Sequence, residues 1–107
     1  WFTDSFRENN PAEVARVAAM VHSTPGVGYA ACCAAIRDMD QRQDVSAITA
    51  LSMVVVGAHD PATPPDHGQF LQHASPGARL ATLDAAHLSN IEAAAAFNQA
   101  VVTFLTN

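Results

Sequence analysis

The chain has 107 residues, half of them apolar and 14% charged, which suits one folded domain and excludes a disordered segment or two ordinary domains. A formal charge of −5 with only five Lys and Arg leaves no cationic cluster for phosphate contacts, so nucleic acid is excluded as a partner. No apolar run approaches the roughly 18 residues of a bilayer span, and no basic amino-terminal segment with an apolar core is present, so nothing argues for secretion.

The opening Trp1-Phe2-Thr3 has no initiating Met, which reads as a piece cut from a longer chain. Asn10-Pro11 with Glu13 three residues beyond Asn10 predicts a helix start. Asn10 caps, Pro11 takes the first helical position and Glu13 reaches back as in a capping box. Val14, Val17, Ala18 and Val21 then share one face of a helix over 11–22. A second helix or a turn begins at Thr24-Pro25, with Tyr29, Cys32, Cys33 and Ile36 as its apolar stripe, ending near Arg37-Asp38. Residues 44–48 suit one short helical turn.

The pattern then changes period. Ser52-Met53-Val54-Val55-Val56-Gly57 is a β-branched run ending at glycine, as a buried parallel strand reads. A Pro-rich loop follows, then a helix from Pro65 through His73, broken by Ser75-Pro76-Gly77. Residues 78–83 form a second strand. Asn90 caps a last helix over 91–106, with Ala94, Phe97, Val101 and Phe104 or Leu105 facing inward and the alanines at 93–96 supplying helix propensity. Two strands joined through a helix make a parallel pair. A parallel pair alone leaves faces and edges bare, so further strands are expected beside it.

Two loops carry chemistry. Gly57-Ala58-His59-Asp60-Pro61-Ala62-Thr63-Pro64-Pro65 follows the first strand, and Leu83-Asp84-Ala85-Ala86-His87-Leu88-Ser89-Asn90-Ile91-Glu92 follows the second. Both lie beyond the carboxyl ends of parallel strands, where open α/β sheets build their sites. Neighbouring loops let a carboxylate on Asp60 reach the imidazole of His87, which is the order Asp then His of a Ser-Asp-His hydrolase.

These loops resemble the acid and histidine loops of the α/β-hydrolase superfamily. The stretch Gly28-Tyr29-Ala30-Ala31-Cys32-Cys33-Ala34-Ala35-Ile36-Arg37-Asp38-Met39-Asp40, with Trp1-Phe2-Thr3, is similar to the 3-oxoadipate enol-lactonases of the β-ketoadipate pathway. The resemblance implies an α/β fold fragment: cap helices and linker over 1–44, then a carboxyl-terminal strand-helix-strand-helix part of the core over 45–107. It implies Asp60 as catalytic acid residue and His87 as catalytic histidine, acting on a small-molecule lactone without metal or organic cofactor. The Gly-x-Ser-x-Gly nucleophile motif is absent from these residues, and Ser89 stands two residues after His87 rather than on a strand-to-helix elbow. The nucleophile is therefore expected from an amino-terminal part of the same enzyme, in the same or a separate chain, and these residues alone are expected to be inert.

Plainer readings stand beside these. Asp60 before Pro61 is also a common turn opener, and His87 an ordinary loop histidine. His59 and His67 lack the further ligands of a metal site, so no metal is assigned, and they read as solvent-facing. His22 and His73 suit helix carboxyl ends. Cys32 and Cys33, being adjacent, do not suit a disulfide; they read as reduced packing residues, consistent with the cytoplasm. Trp1 lines a pocket or simply packs. Arg37 meets a substrate carboxylate or pairs with a neighbouring Asp. The rival functions are another α/β-hydrolase, such as a general esterase or a carbon–carbon bond hydrolase, and a non-catalytic helical module whose bare faces a second copy covers, so a homo-oligomer is open.

Overall fold

A computed structural model describes all residues, 1–107. The elements run α1 (Asp4–Asn9), α2 (Pro11–His22), α3 (Gly26–Asp38), a 3-10 turn (Val45–Ala47), β1 (Met53–Gly57), α4 (Pro65–Ala74), β2 (Arg79–Leu83), α5 (Ser89–Glu92) and α6 (Ala94–Thr106). β1 and β2 pair in parallel, with Met53 opposite Arg79 and Gly57 opposite Leu83. The helix α4 connects them and packs on β1. It comes close because Gly68 has no side chain: a Cβ there would lie 2.1 Å from Val56 Cγ1. Gly77, at φ +74°, makes the turn back into β2 in a conformation that glycine adopts freely.

The buried residues concentrate at the carboxyl ends of the strands. Val56, Leu83, Ala85 and Ala86 are buried there, whereas most large apolar side chains elsewhere keep contact with solvent. The sheet has two strands, so one edge of β1 is unpaired. No helix is long and apolar enough to cross a membrane.

Several expected local features differ. Asn10 precedes Pro11 in the cap position, but its side chain makes no cap bond to α2. Asn10 also closes α1, sending its backbone N–H and its side-chain amide to the Phe6 carbonyl. Glu13 does not reach back, because its carboxylate takes Arg16 at 2.6 and 2.9 Å, a charge-assisted pair that outcompetes a neutral amide. The helix α1 has no counterpart in the expected elements. Thr3 caps it by accepting the Phe6 N–H at 3.2 Å.

The carboxyl-terminal helix is in two pieces. Leu88, not Asn90, holds the cap position of α5, and Ala93 leaves helical geometry at φ −119°, ψ 44°. Tertiary bonds to Glu92, described below, override the propensity of the alanine run. In α6 the side chains of Phe97, Val101 and Phe104 are half-buried, while Ala94 and Leu105 are exposed. The apolar stripe of α3 is uncovered: Tyr29, Cys32, Cys33 and Ile36 are all exposed, because no other element packs extensively on that helix. In α2, Val17 is buried and Val14 half-buried, but Ala18 and Val21 remain exposed.

Candidate active site

The strand ladder continues past the ends of the strands and holds the two loops together. The amide of Ala58 donates to Leu83 O at 2.8 Å and the amide of His59 to Ala85 O at 3.0 Å. Gly57 lies directly on the histidine loop. A Cβ at this position would sit 2.1 Å from Ala86 O and 2.5 Å from Ala85 O, both backbone atoms. Only glycine permits that approach, so its place at the end of β1 determines how near the two loops come.

Asp60 and His87 meet as the spacing predicts. Asp60 Oδ2 lies 2.7 Å from His87 Nδ1. Asp60 is only 6% exposed, yet all its oxygens are engaged. Oδ1 accepts the amides of Ala62 at 2.8 Å and Thr63 at 3.1 Å, and Oδ2 accepts the Thr63 hydroxyl at 2.6 Å. Burial pushes the carboxyl pKa up. The bonds from the Thr63 hydroxyl, His87 and the two amides outweigh that and hold it well below the usual carboxylate range. An ionised carboxylate only accepts, so His87 Nδ1 must carry the proton toward it. The tautomer is thereby set: Nε2 is left unprotonated in the neutral ring, and no protein group bonds to it. A basic nitrogen held this way can take a proton from a hydroxyl and return it to a leaving group.

Thr63 was not among the residues the sequence singled out. Its hydroxyl also lies 3.4 Å from His87 Nδ1, closing a three-member cluster. The available signal was the Asp60-x-x-Thr63 spacing, since Asp commonly accepts amides two and three residues on in a turn. Asp84 was also missed: His59 Nε2 pairs with Asp84 Oδ1 at 2.8 Å, so His59 is exposed but not free. His67 lies on the groove beside the site. His22 and His73 are exposed in the last turns of their helices. No three His, Cys, Asp or Glu side chains converge as metal ligands would.

Trp1 stands beside His87, with ring centroids 6.2 Å apart and planes tilted by 42°. Arg37 lines a groove of about 1150 Å³ that also reaches Asp60, His87 and the valines of β1. One edge of its guanidinium is occupied, with Nε and Nη2 on the two oxygens of Asp38 at 2.6 and 2.7 Å, and this bond lowers the Asp38 pKa. Arg42 is likewise paired with Asp40, whose pKa falls to about 2 through that hydrogen bond. The Nη1 of Arg37 has no protein partner, so Arg37 can meet a substrate carboxylate while keeping Asp38.

No protein-family model matches the chain. It is 38% identical over 101 residues to 3-oxoadipate enol-lactonase 2 of Acinetobacter baylyi, covering 94% of the chain and 38% of that protein. It is 33% identical over 92 residues to 3-oxoadipate enol-lactonase 1 of the same organism, covering 86% of the chain and 35% of that protein. The crystal structure of the enol-lactonase from Burkholderia xenovorans LB400 superposes with a TM-score of 0.98 at 41% identity, over 100% of the chain and 41% of that structure. The chain thus spans 38% of the length of the first of these curated relatives. It is similar to 3-oxoadipate enol-lactonases and has the fold of the carboxyl-terminal part of an α/β-hydrolase.

Proposed function

We propose that these residues are the acid-and-histidine part of an enol-lactone hydrolase working by a Ser-His-Asp mechanism. One observation carries the reading: a buried, ionised Asp60 holds His87 Nδ1 at 2.7 Å and leaves Nε2 unbonded, on loops that follow adjacent parallel strands. In this reading residues 1–44 form cap helices and a linker, residues 45–107 complete the core, and the nucleophilic serine comes from an amino-terminal part of the same enzyme. The similarity to the Acinetobacter enzymes supports 3-oxoadipate enol-lactone as the substrate and 3-oxoadipate as the product. A role in aromatic catabolism in the cytoplasm belongs to the same proposal.

The serine oxygen attacks the lactone carbonyl while His87 Nε2 takes its proton, and Asp60 stabilises the imidazolium. The ring C–O bond then breaks, and His87 gives the proton to the departing enolate oxygen. His87 next takes a proton from water, whose oxygen attacks the acyl-serine. The ester bond breaks, the carboxylic acid leaves and the serine recovers its proton. Trp1, beside His87, supplies a wall of the pocket. The 107 residues alone are inert, because they hold neither the nucleophile motif nor the strands that would donate oxyanion amides.

The test uses the intact protein, including whatever precedes Trp1. Loss of enol-lactone absorbance with release of 3-oxoadipate is the expected result. Hydrolysis of simple aryl esters without the lactone would move the reading to a general esterase, and cleavage of neither would overturn it.

A further inference from the structure

Asp60 holds the ring of His87, but the backbone that carries the ring is held from a different direction. The amide of Ala86, just before it, donates to Glu92 Oε2 at 2.9 Å. The amide of Leu88, just after it, donates to the carbonyl of Trp1 at 3.1 Å. The two holds converge on one segment, because Glu92 also takes the amide of Thr3 at 3.2 Å on Oε1 and 3.3 Å on Oε2, together with the Thr3 hydroxyl on Oε1. Glu92 and Thr3 are 89 residues apart in the chain. Residues 1–3 therefore run as a strap across the histidine loop, and α1, capped by Thr3, anchors its far end.

We infer that Glu92 is a positioning residue for His87. Its single carboxylate locks the strap to the loop, and so sets where the imidazole stands relative to Asp60 and to an incoming serine. The inference rests on the reading of His87 as the general base. A carboxylate suits the donor count: three N–H or O–H groups converge, and an ionised carboxylate offers acceptors on both oxygens. A glutamine would present one oxygen and an NH₂: beside Ala86 the NH₂ would face another donor, and beside Thr3 it would force the Thr3 hydroxyl to turn from donor to acceptor, weakening the lock. Ala86 is 2% exposed, so water cannot replace the lost partner of its amide.

The test compares Glu92→Gln, Thr3→Val, the double variant and His87→Ala in the intact protein, by steady-state kinetics on the lactone, thermal melts and amide hydrogen exchange. Small displacements of a catalytic group cost on the order of 100-fold in rate. Glu92→Gln is expected to lower kcat by about 10–100-fold with KM within about threefold. Exchange at Ala86 and Leu88 should quicken while that of β1 does not, a local signature that a general loss of stability would not give. Thr3→Val cuts the other end and lowers kcat in the same direction, and the double variant loses little beyond the worse single one. If Glu92→Gln does not fold, Thr3→Val decides alone. A kcat within about twofold of wild type in the folded variants, with His87→Ala inactive, overturns the inference and leaves the function standing. An active His87→Ala overturns both.

Discussion

Replacing Asp60 by Asn alters the hydrogen-bonding sense of one atom and leaves the shape of the site unchanged. The amides of Ala62 and Thr63 can only donate, so the Asn carbonyl oxygen must take the place of Oδ1. The NH₂ then stands where Oδ2 was, 2.7 Å from His87 Nδ1. Two donors cannot face each other, so the imidazole shifts its proton to Nε2, the atom that must accept the serine proton. The imidazolium also loses its counter-charge. Together these losses cost on the order of 10⁴ in kcat, or about 5.4 kcal/mol at 1.36 kcal/mol per decade. KM should hold, since Asp60 lies behind the histidine and has no bond left for substrate. Steady-state hydrolysis of the lactone by the intact Asp60→Asn protein measures both constants. A kcat within about tenfold of wild type would refute the assignment of the tautomer and of Asp60 with it.

His87→Ala should cost more than Asp60→Asn, on the order of 10⁴–10⁶ in kcat, because both base and acid are lost; the same kinetics check it. Asp60 also predicts a pH dependence of stability. Its folded pKa lies below the unfolded value of about 3.9, so its contribution is complete above that pH and is lost as pH falls toward the folded value. In denaturant titrations from pH 7 to 3, the stability gap between wild type and Asp60→Asn should stay level down to about pH 5 and narrow below about pH 4. Gly57→Ala forces a Cβ against Ala86 O and should cost roughly 1–3 kcal/mol in thermal melts while parting Asp60 from His87; an unchanged melting temperature with full activity counts against it. Arg37→Ala should raise KM by at most about threefold, since the paired Asp38 carboxylate offsets the charge of the guanidinium; a rise beyond about tenfold would assign Arg37 to the substrate carboxylate.

What was legible in the sequence follows from local periodicity. The valine run of β1, the Pro11 start of α2 and the Pro65 start of α4 declare themselves through neighbours a few residues away. Asp60 and His87 were legible because strand-loop geometry converts their spacing into proximity. What failed was decided at a distance or by competition. The helix α1 is short and lacks a buried face, so no apolar period announces it. The Asn10 side chain went to a rival carbonyl at Phe6, and the Glu13 carboxylate to an arginine at 16. Ala93 has excellent helix propensity, yet the chain bends there next to Glu92, whose partners at Thr3 no local pattern reveals. The stripe on α3 was legible as apolar, yet Cys32 and Cys33, expected as packing residues, are exposed in this chain, because periodicity reports a face and not what covers it.

The open edge of β1 has a consequence for the behaviour of this polypeptide in solution. Met53-Val54-Val55-Val56-Gly57 contains no charge and no proline, and one side of its backbone ladder is unclaimed. A short, β-branched, uncharged strand with free amides and carbonyls is a template for cross-β stacking with its own kind. The nearest gatekeeping prolines, Pro61 and Pro64, lie beyond Asp60, outside the strand. With that edge open, aggregation competes with folding, and the competition steepens with concentration.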